Sequence, residues 1–194
     1  MGEVRVTAGM LRGRKVFVPS HGEARYTSSK VRAAIFNSIG SVEGLHVLDL
    51  FAGSGLFSIE ALSRGAERAV CVEKSRAMAA VLKGNLARLG LDKDCVVVNM
   101  DVIYALPVLS RKGASFDLIF MDPPYEAGYV STTVDLLKGC TVYSEGALLV
   151  VEHSKREQLA GFQKECEVKS RLYGDTAVSV IRCGWFNDAR RSEA

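Results

Sequence analysis

One stretch of the sequence, residues 47–55, limits the possible folds more than any other. It begins as a hydrophobic run typical of a buried strand and ends in a turn that contains Gly53 and Gly55. Residues 56–62 then have the composition of a helix. A buried strand, a tight glycine turn and a helix in this order form the nucleotide-binding unit of α/β proteins. The stretch therefore predicts a ligand-binding turn, and a plain strand-to-helix turn is the alternative.

The turn does not complete the dinucleotide fingerprint of nicotinamide oxidoreductases. That fingerprint has Gly or Ala three positions after Gly55, where this sequence has Ser58. The run Asp-Leu-Phe-Ala-Gly-Ser-Gly closely resembles the first motif of methyltransferases that use S-adenosyl-L-methionine. The resemblance implies cofactor contacts from the residues of this run: Asp49, Phe51, Ala52, Gly53, Ser54 and Gly55.

Apolar strand candidates alternate with helices through most of the chain. This alternation predicts a parallel sheet covered by helices on both faces. Two further candidates, residues 163–172 and 176–183, are joined by Tyr-Gly-Asp and predict a closing hairpin. The methyltransferase resemblance implies the fold class: an α/β, Rossmann-like class I methyltransferase with a seven-stranded, mostly parallel sheet. The C-terminal hairpin then supplies an antiparallel strand. The five buried strand candidates are residues 46–50, 68–73, 95–99, 116–121 and 147–152.

Acidic residues follow successive strand candidates of the predicted sheet. Ligands of such sheets bind at the carboxyl ends of the strands. Glu73 lies twenty residues after Gly53, a spacing that suits a carboxylate bound to the hydroxyl groups of a ribose. Asp101 follows the third strand, where it could accept a hydrogen bond from an adenine amino group. Asp122 follows the fourth strand and is the last of the residues predicted to bind the cofactor.

The segment Asp122-Pro123-Pro124-Tyr125 is the most specific signal in the sequence. Two prolines exclude a helix and hold the backbone extended, so that the Asp122 carboxylate and the Pro123 carbonyl are fixed acceptors. Tyr125 offers a ring on which a planar base can stack. A proline stop after a buried strand is the alternative interpretation.

Asp-Pro-Pro-Tyr resembles the fourth motif of methyltransferases that modify exocyclic amino groups. The resemblance implies that Asp122, Pro123, Pro124 and Tyr125 are the catalytic segment. Two acceptors on the N–H groups would turn the nitrogen lone pair out of conjugation, and the carboxylate would stabilise the positive charge that develops. Direct transfer of this kind requires neither a metal nor a covalent intermediate.

Positive charge is concentrated at the start of the chain. Residues 1–32 contain seven Lys or Arg and two acids, a net charge of +5, and the remaining residues have 18 basic and 20 acidic side chains, a net charge of −2. A basic arm on a nearly neutral body indicates an anionic partner, most simply nucleic acid. Five residues of the arm are expected to bind RNA phosphates: Arg12, Arg14, Lys15, Arg25 and Arg32. Tyr125 is expected to bind the base.

The N-terminal segments resemble those of the RsmD family. They are Ala8-Gly9, Arg12-Gly13-Arg14-Lys15, Arg25-Tyr26-Thr27 and residues 31–37, and the resemblance extends over residues 4–183. It implies methylation of the exocyclic amine of one guanine in 16S ribosomal RNA, within an assembled or assembling small subunit. The chain departs from the family pattern at three positions in the RNA-facing part, where the family usually has lysine, proline and glutamate: Met10, Tyr26 and Ala33.

Length and composition predict the organisation of the chain. An N-terminal extension with a small basic hairpin and a helix (1–40), a methyltransferase domain (41–186) and a polar tail (187–194) account for the 194 residues. With no membrane span or signal-peptide core in the sequence, we expect a cytoplasmic protein, and we expect it to be a monomer. Five cysteines without a Cys-x-x-Cys pair predict reduced thiols and no metal site or disulfide framework.

Three alternative functions are compatible with parts of this pattern. An amino-methyltransferase acting on another RNA or on DNA shares Asp-Pro-Pro-Tyr, although 194 residues leave little room for a DNA target-recognition domain. A nicotinamide oxidoreductase would leave Ser58 and Asp-Pro-Pro-Tyr unexplained. An RNA-binding module without catalytic activity would explain only the basic arm.

Overall fold

The structure, a computed structural model, describes residues 2–19, 27–125, 127–157, 159 and 166–183. The chain divides into two compact units, Met1–Met100 and Asp101–Ala194. The boundary predicted at residue 40 falls inside the first unit. The predicted polar tail, with Arg25 and Tyr26, lies outside the described residues.

In the first unit, the part of the chain that the structure describes forms a small hairpin, three helices and three strands of the main sheet. The hairpin pairs β1 and β2 in antiparallel register, from Gly2 opposite Val18 to Arg5 opposite Lys15. The predicted basic hairpin and the helix after it are therefore confirmed. The elements of this unit are β1 (Gly2–Arg5), β2 (Lys15–Val18), α1 (Ser29–Ile39), β3 (His46–Asp49), α2 (Leu56–Ser63), β4 (Arg68–Val72), α3 (Arg76–Leu89) and β5 (Cys95–Val98).

The described residues of the second unit form two helices and four strands. The last of the five buried strand candidates, residues 147–152, belongs to a longer strand than predicted. Its pairing begins at Tyr143, which lies opposite Phe116, and continues after a register shift. The elements of this unit are α4 (Val102–Arg111), β6 (Phe116–Met121), α5 (Tyr129–Lys138), β7 (Tyr143–Ser154), β8 (Cys166–Tyr173) and β9 (Thr176–Cys183).

The main sheet has seven strands in the order β5-β4-β3-β6-β7-β9-β8. β3 pairs with β4, β4 with β5, and β6 with β7 in parallel, whereas β9 is antiparallel to both β7 and β8. The predicted fold class, a mostly parallel seven-stranded sheet with an antiparallel strand in the C-terminal hairpin, is confirmed. β3 carries the glycine motif and lies inside the sheet rather than at an edge. A ligand site where the strand order reverses requires this interior position.

Helix ends follow local sequence signals. The Ser28 hydroxyl accepts a hydrogen bond from the Val31 N–H and begins α1, and Ser75 does the same for Met78 at the start of α3. Gly90 ends α3 in the left-handed conformation. Within the described residues, no helix is both long and apolar enough to cross a membrane.

The cysteine prediction is only partly correct. Cys71, Cys95 and Cys140 are free and buried, as expected. Cys166, however, is disulfide-bonded, so the expectation of reduced thiols is wrong for this residue. The antiparallel pairing of β8 with β9 places residue 183 opposite Cys166, as the predicted closing hairpin implies.

Candidate functional site

The glycine turn of the first unit joins β3 directly to α2. Gly55 has φ +86° and precedes α2, and a Cβ atom added there would lie 2.2 Å from Leu82 Cδ1 of α3. Any other residue would therefore be strained at this φ and would displace the end of the Leu82 side chain. This close approach fixes the start of α2, whose first N–H groups lie beside the turn.

The turn and the end of β4 meet through Glu73. One carboxylate oxygen of Glu73 accepts a hydrogen bond of 2.9 Å from the Gly53 N–H, and the other accepts one of 2.6 Å from the Ser75 N–H. Asn99, after β5, donates to the backbone carbonyl of Glu73 at 2.7 Å. The sequence spacing of twenty residues thus corresponds to a direct contact, and the half-buried carboxylate is held in one orientation.

Asp49 supports the turn from within the protein. Its side chain is 1% exposed and accepts a hydrogen bond of 2.9 Å from the Ser58 hydroxyl of α2. Burial raises the pKa of Asp49 to about 6, even though the Ser58 hydrogen bonds oppose the shift. The Ala52 N–H donates to the Val72 carbonyl, which holds the turn on the end of β4. Ser58, which breaks the dinucleotide fingerprint, therefore has a role as the partner of Asp49.

In the second unit, Asp122 follows β6 directly, and the prolines keep the next residues out of a helix. Asp122 is half-buried, Pro123 is buried and Pro124 is exposed. Asp101 has a structural role that the sequence analysis did not assign: its carboxylate accepts a hydrogen bond from the Ile103 N–H and begins α4. Contact with an adenine amino group remains a prediction for Asp101.

The Tyr125 side chain is held through its hydroxyl by two strands of its unit, β7 and β9. Its hydroxyl donates to Glu152 of β7 at 3.2 Å and lies 2.9 Å from the Thr176 hydroxyl of β9. Burial raises the pKa of Tyr125, and the charges of Glu152 and Asp122 raise it further, so the phenol stays protonated. The sequence analysis missed Glu152 and Thr176, because the pairing of β7 with β9 is what brings them together.

The basic arm differs from the prediction at one residue. Arg12, Arg14 and Lys15 are exposed, and Lys15 forms an ion pair with Glu3 at 2.8 Å. Arg32 is 0% exposed and forms an ion pair with Glu60 of α2 at 3.1 Å. Its assignment as an RNA phosphate contact is therefore wrong. The buried residues of α1 are Arg32, Ile35 and Phe36.

Glu60 is a further residue that the sequence analysis missed. It is 1% exposed, and its carboxylate accepts hydrogen bonds from the Thr7 N–H and hydroxyl, the Ala8 N–H, Arg32 and Arg64. Gly9 lies beside this cluster at φ +80°, where a Cβ atom would overlap the Ser63 carbonyl. The N-terminal segment is thus fixed to the helix that follows the glycine turn. The sequence signal that could have indicated this role is the position of Glu60 as a single acid within the apolar sequence of α2.

Comparison with known proteins agrees with this architecture. The family described as "Conserved hypothetical protein 95" matches residues 4–182. Ribosomal RNA small subunit methyltransferase D of Escherichia coli (strain K12) is 38% identical over 78% of this chain and 75% of its own. The protein of the same name from Haemophilus influenzae is 33% identical over 81% and 82%, respectively. The solved structure of a hypothetical protein from Thermus thermophilus superposes with a TM-score of 0.79 at 32% identity and covers 91% of this chain and 98% of its own. The chain therefore belongs to the RsmD family of methyltransferases.

Proposed function

We propose that this chain transfers a methyl group from S-adenosyl-L-methionine to the exocyclic amine of a guanine in 16S ribosomal RNA. The observation that carries the proposal is the Asp-Pro-Pro-Tyr segment at the end of a parallel strand, with the Tyr125 hydroxyl bound to Glu152 and Thr176. Membership of a family with relatives named ribosomal RNA small subunit methyltransferase D supports the choice of RNA.

The residues of the first unit fit this cofactor. A carboxylate that is half-buried and oriented by two backbone N–H groups, as Glu73 is, retains acceptor capacity for the hydroxyl groups of a ribose. The glycine turn exposes backbone without a Cβ atom at Gly53, so a ligand can approach it closely. When bound, S-adenosyl-L-methionine supplies an electrophilic methyl group on a sulfonium. The residues assigned to hold it are Asp49, Phe51, Ala52, Gly53, Ser54, Gly55, Glu73, Asp101 and Asp122.

The Asp-Pro-Pro-Tyr segment binds and activates the target base. Asp122 accepts one N–H of the exocyclic amine, and the Pro123 carbonyl accepts the other. These two acceptors turn the lone pair out of conjugation with the ring, and the carboxylate stabilises the positive charge that develops on nitrogen. Tyr125 stacks on the base, which must leave its own stack to reach a site at the strand ends.

The exposed arm binds the RNA backbone. Arg12, Arg14 and Lys15 lie on or beside the β1–β2 hairpin and present cations to solvent, as phosphate contacts require. Arg25 is assigned to the same role from the sequence alone. The protein acts as a monomer in the cytoplasm, on an assembled or assembling small subunit.

We expect Glu73→Ala to weaken cofactor binding by roughly tenfold to a hundredfold. Hydrogen bonds to a charged group contribute about 1.5–3 kcal/mol each, and the variant also releases the Gly53 N–H. Isothermal titration calorimetry with S-adenosyl-L-methionine measures the effect. Glu67→Ala, which removes an exposed acid just before β4, is the matched control and should bind normally. Equal affinities for the two variants would remove Glu73 from the cofactor site.

The proposed reaction is tested by incubating the chain with labelled S-adenosyl-L-methionine and either naked 16S RNA or assembled small subunits, followed by mapping of the methylated nucleotide. Label on the N2 atom of one guanine supports the proposal. Label on adenine or cytosine, or no transfer to 16S RNA, would favour the alternative of an amino-methyltransferase acting on another RNA or on DNA, because Asp-Pro-Pro-Tyr is shared by enzymes that modify adenine and cytosine.

A further inference from the structure

An exposed arginine of α3 contacts an aromatic ring of the basic hairpin. The Arg88 guanidinium carbon is 3.7 Å from the centroid of the Phe17 ring in β2. A cation at this distance from an aromatic face is held by electrostatic attraction and by the fit of two planar groups. The guanidinium of Arg88 therefore has a defined position, unlike that of a free surface arginine.

A buried amide fixes the same guanidinium from the other side. Asn85 is 1% exposed, and its Oδ1 accepts hydrogen bonds from Arg88 at 2.9 Å and from the Phe17 N–H at 3.0 Å. Its Nδ2 donates to the carbonyls of Phe17 and Ser54, each at 2.9 Å. Because the amide has four fixed partners, its oxygen cannot turn away from Arg88. The guanidinium thus loses little conformational entropy when it binds a ligand.

A second cation lies next to Arg88. Arg14 of the hairpin donates to the Arg88 backbone carbonyl at 3.3 Å, and both side chains belong to exposed residues. Within the part of the chain that the structure describes, neither arginine forms an ion pair with an acid. The Arg14 guanidinium thus reaches the last turn of α3, where Arg88 lies, and two cations on adjacent segments without an acidic partner attract an anion. A fixed guanidinium fork matches the geometry of a phosphate.

We propose that Arg88 and Arg14 together bind a phosphate of the RNA substrate, with Arg88 as a substrate-binding residue outside the N-terminal arm. This inference rests on the proposed function. It adds α3 to the RNA-binding surface and gives Phe17 and Asn85 the task of positioning the Arg88 side chain.

The test is RNA binding as a function of salt concentration for Arg88→Gln, Arg88→Lys and Lys83→Gln. Lys83 is an exposed cation on another face of α3 and has no place in the proposed site. We expect Arg88→Gln to weaken binding of 16S RNA about threefold to tenfold and to reduce the slope of log K against log salt by about 0.7, the value for one phosphate of a single strand. Arg88→Lys should keep the slope and lose part of the affinity, because the charge remains but the fork and the stacking on Phe17 are lost. Lys83→Gln should change the affinity less than about twofold, since it removes one distant, screened charge.

Cofactor affinity, measured in parallel by calorimetry, should be the same in all three variants, which shows that each is folded. Equal salt slopes for Arg88→Gln and the unaltered chain would overturn the inference and leave Arg88 and Arg14 as a structural link between the hairpin and α3. Failure of the proposed function has a different result: the unaltered chain would then fail to methylate 16S RNA at a guanine, whatever the behaviour of Arg88.

Discussion

We expect replacement of Asp122 by alanine to lower single-turnover methylation by about two to three orders of magnitude, the usual cost of removing one fixed group that stabilises transition-state charge. An exocyclic amine is a poor nucleophile because its lone pair is delocalised into the ring. Attack on a methyl group gives this nitrogen a positive charge before its proton leaves. Without the carboxylate, nothing in the Asp-Pro-Pro-Tyr segment compensates that charge.

The asparagine variant separates charge from hydrogen bonding. Asp122→Asn keeps one acceptor oxygen but not the negative charge, so its rate should lie between those of the unaltered chain and Asp122→Ala. Cofactor affinity should remain largely intact in both variants, because Glu73 and the glycine turn supply the other contacts. Asp117→Asn is a matched control, since Asp117 lies at the opposite end of β6, where its carboxylate accepts a hydrogen bond from Ser144.

The measurement is single-turnover transfer of labelled methyl to 16S RNA, with cofactor binding followed by calorimetry. A near-normal rate for Asp122→Ala would reduce the Asp-Pro-Pro-Tyr segment to a stop after β6. A loss of cofactor binding equal to the loss of rate would assign Asp122 to the cofactor rather than to the amine.

The sequence predicted the α/β fold because the signals that define it are local. Ser28 and Ser75 are residues of a type that favours helix starts and they begin α1 and α3, which Gly40 and Gly90 end. The contact between Glu73 and the glycine turn could also be predicted from the sequence, because adjacent parallel strands bring their carboxyl ends together. Features that are periodic or occur at fixed spacing in such a fold can be read from one sequence.

Contacts between distant segments could not be predicted in this way. Arg32 has the sequence context of a surface cation, because arginine is seldom fully buried without a partner and its partner, Glu60, lies 28 residues away. The hydroxyl partners of Tyr125 depend on the register of β7 with β9, and those of Asn85 on the packing of the hairpin against α3. No periodicity in the sequence encodes these pairs.

The buried cluster around Glu60 leads to the second large expected effect. We expect Arg32→Ala to lower the free energy of unfolding by about 3–5 kcal/mol, because the variant leaves a buried carboxylate with less compensation. Arg32 also donates to the backbone carbonyls of Thr27 and Arg5, which lose their partners in the variant. For a chain of this length the change corresponds to a fall in Tm of roughly 10 °C. Urea denaturation followed by circular dichroism measures it.

Acidification tests the same cluster independently. Burial opposes ionisation of Glu60, but hydrogen bonds from Thr7, Arg64 and Arg32 outweigh it, so the pKa of Glu60 is lower than in the unfolded chain. A lowered pKa in the folded state stabilises the protein at pH values above the ordinary pKa of glutamate, and this contribution is lost as the pH falls through the folded-state pKa. Glu60→Gln should therefore be less stable than the unaltered chain at neutral pH and should lose less stability on acidification.

Two further variants test whether the buried charge of Arg32, rather than the size of its side chain, accounts for its contribution to stability. Arg64→Ala removes a less buried cation from the same carboxylate and should cost less than Arg32→Ala. The double variant Arg32→Met with Glu60→Leu removes both buried charges but leaves the Thr7 and Ala8 N–H groups without their acceptor, so it should recover only part of the stability that Arg32→Ala loses. If Arg32→Ala cost less than about 1 kcal/mol, Arg32 would behave as an exposed ion pair does, and the buried position of its guanidinium would be refuted.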